Sequence, residues 1–277
     1  MKLFVDNLTN VDFSYLHPHR GLLGESWLVQ LVLDGRLNDQ GMICDFGIVK
    51  KAVKAWMDRH IDHALLVPTG MPRLNHRQQD DETLIEWRYP DGRLFRCRSP
   101  HQAITLVGEP EISEHSLASW CRDQLLALFP GEVQGLELAF VPERIEGAFY
   151  HYSHGLHQHD GNCQRIAHGH RSRIEIHLND QRDEALESVW AERLRDIYIG
   201  TRSHLVDDSE GLHHYRYRAP GEFELQLPSE CCYLIDTEST VEQIARHLAD
   251  AIKREHPGER VRVRAYEGVG KGAIATA

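Results

Sequence analysis

The sequence predicts an α+β protein built from two tandem copies of one domain. Its 277 residues are enough for two domains of roughly 100–150 residues each. One order of segments (strand, strand, helix, strands, helix, strand) occurs twice along the chain. Both copies also contain an extra hairpin pattern, at about residues 80–100 and 210–228. We place the boundary near residues 141–148, so that the first copy spans residues 1–143 and the second spans 144–277.

Each extra hairpin is predicted by two alternating stretches with a turn between them. The turn is Pro90-Asp91-Gly92 in the first copy and Ala219-Pro220-Gly221 in the second. Alternation with a period of two is typical of strands, and Pro and Gly favour the turn that joins them. A short apolar strand is then predicted after each hairpin, over residues 103–108 and 231–236.

One helix is predicted after the apolar strand of each copy, over residues 112–129 and 239–253. In the second of these, Thr240 (or Ser239) is a suitable N-cap because its hydroxyl can accept from a free backbone N–H. Apolar residues recur there every fourth position, as one face of a helix requires, at Ile244, Leu248 and Ile252. Each copy closes on a predicted strand, over residues 135–140 and 261–266.

Composition and charge restrict the classes of partner. The formal net charge of −11 opposes binding to nucleic acid or to an anionic membrane. Six cysteines without a CxxC pair favour a reducing compartment over a disulfide framework. The N-terminal segment MKLFVDNLTN lacks the apolar core of a signal peptide. No apolar run reaches the roughly 18–20 residues that cross a bilayer, so we expect a cytoplasmic protein that acts on a small molecule.

The motif most indicative of chemistry lies in the second copy. Seven of the 19 histidines fall between residues 151 and 177. Within this region His154, Cys163, His168 and His170 form an H-x8-C-x4-H-G-H pattern. On a strand, alternate side chains share one face, so His168 and His170 would project together. With His154 they could supply three imidazoles and leave a fourth position open, as a catalytic zinc needs.

Cys163 allows more than one interpretation. It could be a fourth, structural metal ligand or a buried thiol. It could also be a base or nucleophile whose pKa is lowered by a nearby cation. A structural zinc site rich in thiolates is disfavoured because no other cysteine lies near it in the sequence.

With these residues the chain resembles the 6-pyruvoyltetrahydropterin synthase / 6-carboxytetrahydropterin synthase family. Besides the His/Cys/HGH pattern, residues 41–50 (GMICDFGIVK) resemble the family's G-M-x-x-D-F-x-x-L-K segment, and Ile61-Asp62-His63 resembles its L-D-H. Residues 239–245 (STVEQIA) resemble P-T-x-E-N-L-A, and the last matching strand ends at Glu267. The resemblance covers most of the chain but is divided between the two copies.

The resemblance implies two tandem T-folds (tunnelling-folds), each an antiparallel sheet with helices on one face, here with an extra β-hairpin. It also implies that His154, His168 and His170 bind zinc and that Cys163 is the general base. An Asp-His pair would assist proton transfer. Glu267 would bind the pterin ring, since a carboxylate can accept two parallel hydrogen bonds, and Thr240 is a second candidate for substrate binding. Family members assemble as oligomers, so a homo-oligomer is expected.

The division between the copies suggests a composite site. In the first copy Leu23-Gly24-Glu25 replaces the HGH triplet, His17 aligns with His154 and remains, and no counterpart of Cys163 is present. Conversely, we align Asp62-His63 of the first copy with Ser203-His204 of the second. Asp62 and His63 would then serve the site built around Cys163. The alternative is that His204 assists Cys163 locally.

For the reaction, the resemblance implies a zinc-dependent lyase that acts on 7,8-dihydroneopterin triphosphate. The product would be 6-carboxy-5,6,7,8-tetrahydropterin, with release of acetaldehyde and triphosphate. The alternatives are 6-pyruvoyltetrahydropterin synthase, in which only triphosphate is eliminated, and a non-catalytic zinc- or pterin-binding protein. The four residues between Cys163 and His168 fall between the spacings of the two enzyme types. Cations that could meet the triphosphate are Arg165, Arg171, Arg173 and Lys271.

Overall fold

The computed structural model describes residues 1–277. The first copy contains β1 (Lys2–His17), β2 (Gly21–Gly35), α1 (Phe46–His60), β3 (Leu65–Pro68), β4 (Leu74–Gln79), β5 (Glu82–Arg88), β6 (Leu94–Pro100), β7 (Ile104–Val107), α2 (Glu114–Leu126) and β8 (Val133–Pro142). The second contains β9 (Phe149–His154), β10 (His168–Leu178), β11 (Gln181–Arg182), α3 (Glu184–Arg193), β12 (Ile197–Thr201), β13 (Leu205–Asp207), β14 (Leu212–Ala219), β15 (Gly221–Pro228), β16 (Cys232–Ile235), α4 (Val241–Glu255), β17 (Val261–Tyr266) and β18 (Gly272–Thr276). The predicted boundary falls in the connection between β8 and β9.

The strand order shows the duplication directly. The first sheet has the order β7-β3-β1-β2-β8, and the second has β16-β12-β9-β10-β17-β18. Position by position these orders match, and β18 is an addition at one edge. The centre of each sheet is antiparallel, but β3 and β7 run parallel to their neighbours, as do β12 and β16. Parallel neighbours need long crossover connections, which the helices and the hairpin insertions supply.

The helices pack on their own copy's sheet, as expected. Asp45 caps the N-terminus of α1, since its side chain accepts from the backbone N–H groups of Gly47 and Ile48. In α4 the predicted face is buried, with Ile244, Leu248 and Ile252 in one apolar core together with the strands of the second sheet. None of the helices is long and apolar enough to cross a bilayer.

The two extra hairpins join the copies. They form one six-stranded sheet in the order β13-β14-β15-β6-β5-β4, in which β6 of the first copy pairs with β15 of the second. Across this seam Cys97 lies opposite Leu225, and the guanidinium of Arg98 contacts the carboxylate of Glu224 at 3.0 Å. Both hairpins also contribute aromatic side chains to one shared core, including Trp87, Phe95, Tyr215 and Phe223. The sequence predicted each hairpin but not this pairing.

The two main sheets meet where their backbones can approach closely. At this crossing the hydroxyls of Ser14 and Ser153 are 2.7 Å apart and buried. A Cβ added to Gly24 would lie 1.8 Å from the carbonyl oxygen of Tyr152 and 2.5 Å from the backbone nitrogen of His170. Glycine at position 24 therefore permits the contact that brings the first copy against the HGH strand of the second.

We expect Gly24→Ala to lower the free energy of unfolding by about 3 kcal/mol or more, because backbone atoms cannot move aside as a flexible side chain can. Denaturant titration would measure the change. Gly108→Ala is the control, since a Cβ there meets no atom within 4 Å. A Gly24→Ala protein as stable as the control would contradict the contact.

Candidate metal and catalytic site

Three histidines converge on the buried face of β9 and β10. His154 lies opposite His168 in this antiparallel pair, and His170 follows two residues later on the same face. Their exposed fractions are 0%, 1% and 1%. One ligand nitrogen from each lies within 4.8 Å of the others, and the Nε2 atoms of His154 and His170 are 3.2 Å apart. The structure thus brings together the three imidazoles that the sequence pattern grouped.

Hydrogen bonds behind the rings determine which nitrogen is free. His154 Nδ1 donates to the backbone carbonyl of Ser239 at 2.9 Å, and His168 Nδ1 donates to that of Arg165 at 2.9 Å. A carbonyl can only accept, so these Nδ1 atoms carry the hydrogens and the Nε2 atoms carry lone pairs. Burial lowers the pKa of His154 and of His168 well below the usual value, and neighbouring histidines lower both further. His154 and His168 are therefore neutral, which is the form that binds metals.

The three residues fit a tetrahedral metal ion. With metal–nitrogen distances of about 2.0–2.1 Å, two tetrahedral ligands are roughly 3.3 Å apart, close to the 3.2 Å between the Nε2 atoms of His154 and His170. Backbone carbonyls behind metal-binding histidines are also the usual arrangement.

Asp62 and His63 of the first copy reach this site in the second. His63 Nδ1 is 2.7 Å from Asp62 Oδ2, and His63 shares a cluster within 4.8 Å with Cys163 and His168. Burial lowers the pKa of His63, but hydrogen bonds and charge interactions with Asp62 and Cys163 outweigh it and raise the pKa to about 10. The arrangement is a thiol, an imidazole and a carboxylate in series beside the three histidines.

His204 lies in a different cluster. Its Nε2 is 3.1 Å from Glu238 Oε1, and its ring packs against His157 and Tyr217. Of the two histidines proposed to assist Cys163, the structure groups His63 with it. The alternative in which His204 acts locally gains no support from this placement.

The strand registers correct our alignment of the copies. Tyr15 lies opposite Leu23 as His154 lies opposite His168, so Tyr15, not His17, occupies the position of His154. The sequence alignment of β1 with β9 is two residues out of register. Aromatic residues alternate in both strands, and a shift of two residues leaves each side chain on the same face of the sheet.

A second correction concerns His63. Ser14 pairs with Leu65 and Ser153 with Tyr198. His63 and Asp196 lie two residues before these partners. Both have a positive φ, 56° for His63 and 59° for Asp196. Asp196 is therefore the counterpart of His63, and the alignment of Asp62-His63 with Ser203-His204 was wrong. No feature of the sequence indicated the positive φ of His63 and Asp196.

Asp12 is a site residue that our sequence analysis missed. It is 1% exposed, and its Oδ1 lies 3.3 Å from His170 Nδ1 and accepts from the Ser26 hydroxyl. Its Oδ2 is 3.2 Å from Lys271 Nζ. Burial raises the pKa of Asp12, but His170, Lys271 and Ser26 outweigh burial and hold the pKa well below the usual value. The only signal in the sequence was an acid among the mainly apolar residues 11–16 (VDFSYL) of β1.

The backbone of Asp12 also positions the Asp-His pair. Its N–H donates to Asp62 Oδ1 at 2.9 Å, and its carbonyl accepts from the His63 N–H at 2.6 Å. One residue of the first copy thus contacts both His170 and the pair beside Cys163.

We expect Asp12→Asn to weaken zinc binding about 10–100-fold, the usual effect of removing a carboxylate behind a ligating histidine. Competition with a chromophoric chelator would measure the affinity. Asp6→Asn, an exposed position on the same strand, is the control. Equal affinities for the two variants would show that the carboxylate charge of Asp12 does not support His170.

The two proposed substrate-binding residues differ in their surroundings. Glu267 Oε1 lies 4.0 Å from His170 Nε2, so its carboxylate borders the histidine cluster. Thr240 instead caps α4, where its hydroxyl accepts from the backbone N–H of Gln243 at 3.4 Å. The Thr240 hydroxyl is therefore already used by the helix.

The four candidate cations separate into two pairs. Arg171 and Arg173 alternate with His168 and His170 on β10, so they project from the opposite face. Arg171 donates to the Glu143 carbonyl at 2.7 Å, and Arg173 lies 3.3 Å from the Glu143 carboxylate. These two arginines therefore do not face the histidine cluster.

The other two cations belong to the site. Arg165 is 6% exposed and donates to the Asp62 carbonyl at 3.2 Å. Lys271 contacts Asp12 and is half exposed. Of the four, only this pair contacts Asp12 or the Asp62-His63 pair.

Comparison with known proteins gives one family over nearly the whole chain. A sequence model of the family described as "6-pyruvoyl tetrahydropterin synthase" matches residues 9–139 and again residues 145–277.

Individual relatives are more distant. A 6-carboxy-5,6,7,8-tetrahydropterin synthase of Rickettsia bellii is 33% identical over 57 residues, which is 20% of this chain and 37% of that protein. A Pyrococcus abyssi protein provisionally given the same name is 22% identical over 116 residues, 42% of this chain and 65% of that one. The chain thus matches less than two thirds of the length of either relative.

Among solved structures, a catalytic-residue mutant of the Plasmodium vivax 6-pyruvoyltetrahydropterin synthase is 19% identical with a TM-score of 0.44, over 53% of this chain and 93% of that one. The Plasmodium falciparum enzyme is 18% identical with a TM-score of 0.41, over 52% of this chain and 98% of that one.

Proposed function

This chain belongs to the 6-pyruvoyl tetrahydropterin synthase family, with two T-fold copies in tandem, and from this premise we propose that it is a zinc-dependent lyase acting on 7,8-dihydroneopterin triphosphate. The observation that carries the proposal is the convergence of His154, His168 and His170, with ligand atoms of Cys163 and His63 within 4.8 Å of one in His168. Ligand-type nitrogens, a thiol and an imidazole in one partly buried region are what a metal-assisted proton transfer requires.

In the proposed site, the three histidines hold zinc, which when bound supplies a Lewis acid for the substrate's side-chain oxygens. Glu267 accepts hydrogen bonds from the pterin ring, which places the side chain toward the histidines. Arg165 and Lys271 provide positive charge toward the triphosphate.

The proton moves through the chain's own residues. Cys163, as the thiolate, takes a proton from a substrate carbon, and His63 stabilises the thiolate as an imidazolium. The raised pKa of His63 supports this charge state. Asp62 holds the imidazole of His63 through a hydrogen bond at Nδ1. The Nε2 atom of His63 therefore points away from the carboxylate. The first copy supplies Asp62 and His63, and the second supplies Cys163 and the metal ligands, so neither copy is proposed to work alone.

The proposed product is 6-carboxy-5,6,7,8-tetrahydropterin, with acetaldehyde and triphosphate released. The match to the Rickettsia bellii protein of that name supports this branch. Mass spectrometry of the pterin after incubation of purified protein with substrate, together with an assay for acetaldehyde, tests it. A pyruvoyl product without acetaldehyde would select the second candidate. Zinc-loaded protein that binds the pterin but forms no product would leave only a binding function.

We expect His63→Ala to lower kcat about 10²–10³-fold, in the range found for a positioned acid–base group. Under the composite-site proposal His204→Ala should retain kcat within about tenfold, a change of about 1.4 kcal/mol in the barrier. Steady-state rates of the two variants, each checked for folding by circular dichroism, decide between them. The reverse ranking would assign the assisting role to His204.

A further inference from the structure

A second cluster of ligand-type side chains lies in the second copy and has no role in the proposed chemistry. It consists of His157, His204 and Glu238, and one ligand atom from each lies within 4.8 Å of the others. Three separate connections supply them: the one between β9 and β10, the turn after β12, and the one between β16 and α4. The cluster therefore brings together parts of the chain that no local pattern would group.

The contacts around the cluster prepare its atoms as ligands. The backbone N–H of His157 donates to Glu238 Oε2 at 3.0 Å, which fixes the carboxylate, while Glu238 Oε1 faces His204 Nε2 at 3.1 Å. His157 Nε2 donates to the carbonyl of Arg218 at 3.0 Å. With that hydrogen on Nε2, the lone pair of His157 is on Nδ1.

The cluster lies largely below the surface. His204 is 8% exposed, and the side chain of Glu238 is 20% exposed. The Glu238 carboxylate is held by His204 Nε2 and by the backbone N–H of His157, so its oxygens are fixed beside the two imidazoles.

The fold itself does not require a polar side chain at position 204. From the pairing of Ser14 with Leu65 and of Ser153 with Tyr198, the counterpart of His204 in the first copy is Met71. Met71 is 4% exposed and belongs to an apolar core. The same turn is thus built in the first copy with a hydrophobic side chain, so the polar cluster is a specific feature of the second copy.

We propose that His157, His204 and Glu238 form a second metal site, for a divalent transition-metal ion of the zinc class. Two imidazoles and one carboxylate are a ligand set that such ions accept with room for a water molecule. The site adjoins the first through one residue. Glu238 precedes Ser239, whose carbonyl accepts from His154 Nδ1. An ion here fixes the segment that orients a ligand of the first cluster, which is a supporting rather than a catalytic role.

The test counts metal ions on the full-length protein by equilibrium dialysis against Zn²⁺ followed by elemental analysis. We expect two ions per chain in the wild type and one in Glu238→Gln, which keeps the hydrogen bond from His157 but loses the charge. His204→Ala should also bind one. His168→Ala should bind one as well, by loss of the other ion, and the double variant His168→Ala/His204→Ala should bind none. His159→Ala, an exposed histidine in the same connection as His157, is the control and should bind two.

The outcomes separate this proposal from the proposed function. If folded Glu238→Gln binds as many ions as the wild type, the second site is refuted, whatever His168→Ala does. A wild type that binds one ion, all of it lost in His168→Ala, refutes the second site and leaves the first intact. Co²⁺ provides an independent readout: a tetrahedral d–d spectrum that is lost in Glu238→Gln but retained in His168→Ala supports two sites. Circular dichroism and thermal melting establish folding, and Glu238→Gln decides if His204→Ala unfolds.

Discussion

Replacing Cys163 with alanine should lower turnover of 7,8-dihydroneopterin triphosphate by about 10²–10⁴-fold, the range for loss of a general base. Cys163 is the only thiol that lies in a cluster with His63 and His168. Cys44, Cys97 and Cys121 lie in apolar cores. Cys231 and Cys232 pack against the core shared by the two hairpins. Because the three imidazoles do not depend on the thiol, the zinc content of Cys163→Ala should equal that of the wild type. The effect should therefore fall on kcat.

Steady-state kinetics with product identification, alongside elemental analysis, would measure both quantities. Cys231→Ala is a suitable control. Cys231 is also partly buried, but it lies beside Arg93 and packs against the core shared by the two hairpins. Turnover of Cys163→Ala at the rate of this control would refute the role of the thiol. Loss of zinc together with activity would instead make Cys163 a metal ligand, which was one of the interpretations left open by the sequence.

The second large effect is expected for His168→Ala. Removing one of three imidazoles leaves two ligands, too few for a stable catalytic site, so this variant should lose one bound ion and fall to the background rate. The Nδ1 hydrogen bond to Arg165 is lost with the ring, and a change in the connection that carries Cys163 should follow. The fold should persist, because the β9–β10 ladder is formed by backbone atoms.

Elemental analysis at matched protein concentration would count the ions, and activity would be assayed with and without added Zn²⁺. His177→Ala provides a matched control, since His177 lies on the same strand but on the opposite face from His168. Full zinc content in folded His168→Ala would overturn the ligand assignment. Recovery of wild-type activity by excess Zn²⁺ would show that His168 contributes affinity alone.

In the proposed composite site, each copy supplies residues that the other lacks. Asp12, Asp62 and His63 come from the first copy, whereas His170 and Cys163 come from the second, and the contacts between them are short and largely buried. A change that separates the copies should therefore affect metal binding as well as stability. Gly24 lies at this crossing, which links the stability of the pair to the geometry of the site.

Several features could be read from the sequence because they depend on local periodicity. Strand alternation placed His168 and His170 on one face, and helical spacing identified the buried face of α4. The repeated order of segments indicated two copies, and the strand orders of the two sheets agree with this. The match of the family model to both halves of the chain confirms the family resemblance.

What the sequence could not decide depends on contacts between distant segments. The carboxylate behind His170 is Asp12, 158 positions away in the sequence, and the pairing of β6 with β15 joins hairpins from different copies. Strand register within each copy also escaped the alignment, because a shift of two residues preserves the alternation of side chains. Local pattern therefore determined the element types, the duplication and the residues that could ligate a metal. Only the crossing of the two sheets decided that His63 rather than His204 lies with Cys163, since that proximity is set by sheet packing and not by spacing along the chain.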